Sequence, residues 1–197
     1  KLSEPNPEAV KAGLANVLKH IENMQNFGVP VLVASNRFLT DTEEELAIVE
    51  EACKATGADF APAEIFAKGG EGGIDLANKV CDTIDRCDGC QTNFQPLYDE
   101  KLPIKEKLDI IAKEIYRADG VNYTAAAEKA IKEIEGLGFG DIPVCVAKTQ
   151  YSLSDDPAKL GKPENFKITV SDVRLSAGAG FAVVYTGNIM TMPGLPK

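Results

Sequence analysis

Two short stretches carry the side chains best suited to chemistry, Ser35–Asp41 (SNRFLTD) and Ala61–Gly73 (APAEIFAKGGEGG). The first sets a carboxamide (Asn36), a guanidinium (Arg37) and an aromatic ring (Phe38) in succession. An Asn side chain donates and accepts hydrogen bonds at once, which suits the edge of an adenine or a pterin. The second offers Phe66, Lys68 and, from Gly69 onward, nearly bare backbone. Phe38 and Phe66 supply flat apolar faces for a planar heterocycle. Lys68 either neutralises a phosphate or carboxylate or lays its stem along a helix start. Four glycines in the five positions 69–73 stabilise neither helix nor strand, since each loses much backbone entropy on ordering. Such a run suits a tight turn or close approach to a ligand. It is not a Walker A loop, because no Gly-x4-Gly-Lys-Ser/Thr occurs in the chain. A polar loop followed by a glycine turn is the plainer reading of the same residues.

The surrounding pattern says which elements must position them. Asn6-Pro7-Glu8 starts a helix with a side-chain cap, a first-turn proline and an acid at the positive end of the dipole. Val10, Leu14, Val17, Leu18, Ile21 and Met24 continue it at helical spacing to about Phe27-Gly28. Val29–Ala34 is a continuous apolar run, the mark of a buried parallel strand. Thr42-x-x-Glu45 is a capping box for a helix with Leu46, Val49 and Cys53 on one face. A short strand within Ala58–Phe66, broken by Pro62, comes next, and Ile74, Ala77, Val80, Cys81 and Ile84 mark a third helix. This alternation is that of an α/β fold, in which ligands gather beyond the carboxyl ends of the strands. Both chemical stretches fall there. Cys87–Pro103 is a turn-rich connector, which divides the chain into 1–90, an α/β part, and 91–197, an α+β module. The second part is expected to hold helices over Ile104–Ala118 and Ala125–Leu137, the latter capped by Thr124. Its expected strands are Ile142–Ala147, Phe166–Leu175 and Phe181–Thr186. Ser176–Gly180 reads as the hairpin between the last two rather than as a phosphate loop.

Composition narrows the function classes. A formal charge of −9 argues against a nucleic-acid footprint, which needs a clustered basic surface. No apolar run approaches the roughly 20 residues of a membrane span, and KLSEPNPEAV has no apolar core of a signal peptide. The absence of an initiator Met and the Pro/Gly-rich close, MTMPGLPK, read as cuts at both ends. Five irregularly spaced cysteines fit a reducing, cytoplasmic setting. Cys87-Asp-Gly-Cys90, with Cys81 one and a half helical turns earlier, lacks the fourth ligand of a zinc site, and the only histidine, His20, is remote in sequence, so no metal site is expected. Asp155-Asp156 before Pro157 reads as a turn, and Glu71 as an acid facing a helix dipole.

Asn-x-aromatic after one strand and Ala-Lys after a later one parallel the base-recognition half of P-loop GTPases. Longer phrases go further. LKHIENMQNFGVPVLVASNRFLTDTEEEL, IFAKGGEGG, KEIYRADGVNYT, IPVCVAKTQYSLSDDPAKLGKP, VRLSAGAGF and IMTMPGLPK closely resemble formate–tetrahydrofolate ligases over essentially the whole chain. The resemblance implies a P-loop-NTPase-like parallel sheet with flanking helices. It implies an enzyme that uses ATP to make formyl phosphate from formate, then passes the formyl group to tetrahydrofolate. It also implies Mg²⁺ held by a P-loop domain N-terminal to this segment, and a homotetramer. Carried over by position, Asn36 and Arg37 lie beside the base pocket, while Phe38 and Phe66 stack on the pterin. Phe66 stands where other members have Trp, Leu39 where they have Pro, and Pro62 where they have Leu; the pocket stays apolar but changes shape. Lys68 and Gly69 complete the wall. Catalytic residues stay unassigned, as do the roles of Lys148, Gln150 and Tyr151. The rival expectations are a catalytically inactive fragment that at most binds folate or nucleotide, and a guanine-nucleotide switch.

Overall fold

The computed structural model describes residues 4–87, 93–148 and 152–187. Cys90, Gln150, Tyr151, the phrase IMTMPGLPK and the expected boundary at residue 90 lie outside them. The chain divides into two compact units, Lys1–Gln95 and Pro96–Lys197.

In the first unit, α1 spans Pro7–Gln25, and the Asn6 side chain accepts the Ala9 N–H at 3.0 Å as the sequence requires. Strand β1 is Leu32–Asn36, α2 is Glu43–Ala55 and β2 is Asp59–Ala63. The Thr42/Glu45 capping box forms, and the Glu45 carboxylate also accepts the Asn6 N–H at 2.6 Å, which ties the starts of α1 and α2 together. Ile21, Leu46, Cys53, Ala58 and Phe60 make the core, padded by Val17, Leu18, Val31, Val33 and Val49. β1 and β2 pair in parallel from Leu32↔Asp59 to Asn36↔Ala63.

Two expectations change here. The first strand begins at Leu32 and not Val29, so Asn36 is its last residue rather than part of the loop. Pro62 does not break the second strand but lies within it. The reason is its phase. Asp59 N–H reaches Val31 O at 2.9 Å and Arg37 N–H reaches Ala63 O at 3.0 Å, so the odd-numbered residues of β2 bond to β1. Pro62 is even, and the N–H it lacks belongs to the opposite edge.

The one-turn helix α3 (Ile65–Lys68) and a 3₁₀ segment (Gly69–Gly73) lead into α4, Ile74–Arg86. Its apolar stripe is not the packed one: Ile74, Val80 and Ile84 are 54%, 41% and 42% exposed. The buried residue is Thr83, whose hydroxyl donates to Asp59 Oδ2 at 3.0 Å, and Lys79 Nζ donates to Phe60 O at 2.5 Å. α4 therefore meets β2 through polar side chains.

The second unit is a four-stranded sheet in the order β3-β5-β6-β4, where β3 is Val121–Tyr123, β4 Val144–Ala147, β5 Ile168–Ser176 and β6 Phe181–Thr186. β3 runs parallel to β5 and β4 parallel to β6, while β5 and β6 form an antiparallel hairpin. Gly180 N–H closes the hairpin turn on Ser176 O at 2.9 Å. α5 (Ile104–Ile110) and α6 (Ala125–Gly136) pack on the sheet around Ile104, Leu108, Ile131, Val170 and Val184. The α-helix expected over Ile104–Ala118 stops at Ile110, and Ile111–Ile115 is a π-helical turn. Arg117 then takes φ of 60° and Ala118 N–H reaches back to Ala112 O at 2.8 Å. β3, only three residues long, shows no readable alternation in the sequence. The fold class is α/β, with parallel strand pairs and helices in each unit.

Candidate functional site

The parallel register of β1 and β2 sets Asn36 beside Ala63, so both loops leave the same end of the strand pair side by side. In the first, Phe38 N–H donates to Asp41 Oδ2 at 2.8 Å and Asp41 N–H returns to Phe38 O at 3.1 Å. This tight turn leaves Phe38 57% and Leu39 87% exposed. Asn36 is exposed and Arg37 half-buried.

In the second loop, Phe66 is 83% exposed on α3. Four glycines were expected to bring backbone to a ligand, and the structure divides that work. Gly72 folds back on the end of β2: Glu64 N–H donates to Gly72 O at 2.9 Å, and a Cβ on Gly72 would lie 2.4 Å from Glu64 O. Gly69, with φ of 60°, and Gly70 have nothing within 4 Å of a built Cβ. Only these two are open to an incoming group. Pro62 is half-buried opposite Ser35.

Glu64 is the residue that pattern reading passed over. Its carboxylate takes Lys68 Nζ at 2.6 Å and lies 4.0 Å from Arg37 Nη1. Hydrogen bonding from Lys68, with the nearby charge of Arg37, holds Glu64 below the usual carboxylate range. Arg37 also pairs with Glu43, whose hydrogen bond raises the guanidinium. An acid directly after a strand and four residues before a lysine was the available signal.

The other candidates are placed elsewhere. Glu71 is exposed in the 3₁₀ segment, and His20 is exposed on α1. Lys148, at the end of β4, donates to the Ser152 carbonyl and lies 5.4 Å from the Tyr116 ring centroid; burial lowers its pKa. Asp155 Oδ2 accepts Thr169 N–H at 2.8 Å and Asp156 Oδ1 accepts Ala158 N–H at 2.9 Å, so both serve loop geometry. Among the described residues no group of three or more His, Cys, Asp or Glu is placed to hold a metal ion, and no helix is long and apolar enough to cross a membrane.

Parallel strand pairs covered by helices make this an α/β protein, with exposed aromatics, a carboxamide and paired cations at the carboxyl ends of β1 and β2. A family model described as formate–tetrahydrofolate ligase matches residues 1–197. The chain belongs to the formate–tetrahydrofolate ligase family, a ligase family with ATP and tetrahydrofolate among its substrates.

Proposed function

We propose that this chain supplies the heterocycle-binding side of an ATP-dependent formate–tetrahydrofolate ligase. The observation that carries the reading is the β1–β2 register, which brings the Asn36–Leu39 and Phe66–Gly69 segments to one strand end while leaving Phe38 and Phe66 uncovered. Exposed Phe rings are costly to leave in water; covering one contributes about 1.5–3 kcal/mol. A flat ring system does so best. In this reading Phe38 and Phe66 take the pterin faces and Asn36 its edge. Leu39 and Pro62 supply apolar padding, the Lys68 and Arg37 stems line the rim, and Gly69 leaves room for backbone approach. The parallel pair would be part of a P-loop-NTPase-like sheet, within a cytoplasmic homotetramer.

The chemistry follows from formate being a poor acyl donor. ATP converts it to formyl phosphate, releasing ADP. N10 of tetrahydrofolate then attacks the formyl carbon, giving 10-formyltetrahydrofolate and phosphate. Residues of this site orient the amine and shield the mixed anhydride from water. A phosphate-gripping lysine and Mg²⁺ would belong to the P-loop side of such an enzyme.

Calorimetric titration with tetrahydrofolate and with ATP tests the site. Phe66→Ala should weaken one of them by about ten-fold; unchanged affinity for both sinks the stacking role. A second reading is a binding module without turnover. ADP release by the 197-residue chain with formate and tetrahydrofolate would refute it.

A further inference from the structure

We infer that Glu64 is the specificity-determining residue of this site: it neutralises the site's cations and so selects an uncharged ring system over a polyanion. The inference rests on the heterocycle-pocket reading above.

Arg37 and Lys68 are the positive groups beside Phe38 and Phe66, and a phosphate-binding site would present them free. Here both are occupied. Glu64 is bonded to Lys68 at 2.6 Å and lies 4.0 Å from Arg37, which Glu43 also holds. The third nearby acid, Asp41, is bound to the Phe38 N–H. Two cations thus stand among three carboxylates, and neither Arg37 nor Lys68 is left uncompensated for an incoming polyphosphate.

The placement of Glu64 is built in. Its N–H is bonded to Gly72 O at 2.9 Å, and its carbonyl accepts the N–H groups of Ala67 and Lys68 at 3.1 and 2.9 Å. Backbone bonds on both sides therefore fix where the carboxylate starts. Its pairing with Lys68 and Arg37 keeps it ionised at neutral pH. The Glu64–Lys68 pair is solvent-accessible and spaced i,i+4, a geometry that contributes little to stability, so Glu64→Gln should leave the fold intact for a binding measurement.

The test compares the full chain with Glu64→Gln, using inorganic tripolyphosphate as polyanion and 6-methyltetrahydropterin as uncharged ring. Glu64→Gln should bind tripolyphosphate about five-fold more tightly at low salt, with the gain fading at high salt. Pterin affinity should change by less than about two-fold, and the tripolyphosphate gain should vanish in Glu64→Gln/Lys68→Met. No gain at low salt, or a gain that survives in the double variant, overturns the inference. Lys68→Met alone, whose side chain is exposed, should leave tripolyphosphate binding unchanged; a clear loss would show that Lys68 was already available and would also overturn it. Failure of both proteins to bind the pterin would count against the heterocycle pocket, while the tripolyphosphate measurements still decide the role of Glu64.

Discussion

Lys107 is fully buried in the second unit, where its ammonium donates to Gly140 O at 3.1 Å and Ile142 O at 2.9 Å. Burial lowers its pKa, with the charge of Asp141 opposing. The folded value thus lies below the unfolded one, and between them the unfolded chain binds more protons. Stability contributed at this residue is lowest below the folded pKa and rises with pH towards the ordinary lysine value of 10.5. Lys107→Met removes both bonds and leaves the half-buried Gly140 and Ile142 carbonyls without this donor, a loss of about 1–3 kcal/mol. Denaturant unfolding from neutral to alkaline pH should show wild-type stability rising relative to the variant; parallel curves would reject the assignment. Glu64 and Lys107 share a lesson at this scale. Each is a charged residue whose work is set by partners placed on it by folding, and neither stands out in the sequence as a site.

At the scale of elements, local signals were strong where a side chain meets its own neighbours. Asn6, Thr42 and Thr124 cap α1, α2 and α6 as read, because a cap needs only the next three residues. The glycine segment required the fold. Gly72→Ala would force a Cβ to 2.4 Å from the Glu64 carbonyl and disrupt the bond that anchors the loop to β2. It should cost about 1–3 kcal/mol and weaken ligand binding. Gly70→Ala, with open space around it, should be neutral or slightly stabilising. Thermal melting of the pair checks this; equal effects would mean that the close approach does not matter. Pro62 makes the same point in reverse. Taken alone it breaks a strand, yet its phase against β1 makes it harmless.

Across the whole molecule, each unit has its own core, centred on Phe60 and Ile21 in the first and on Ile131 and Val184 in the second. Ile131→Ala removes a side chain that is 2% exposed and should cost about 2–5 kcal/mol. Hydrogen exchange should then accelerate at Val170 and Val184 while Val33 and Phe60 keep their protection; uniform acceleration would show one cooperative unit. The sequence by itself determined the α/β alternation, the helix starts, the final hairpin, the family, and the two loops that carry the aromatics. Each of these is written in nearest-neighbour chemistry or in long ordered phrases. Tertiary structure alone decided that Asn36 closes β1 opposite Ala63, that α4 packs through Thr83 and leaves Ile74, Val80 and Ile84 exposed, that a π-helical turn follows Ile110, and that Glu64 lies between Arg37 and Lys68. These outcomes depend on which strand, helix or charge arrives from far along the chain, and spacing and propensity within one segment carry no record of that.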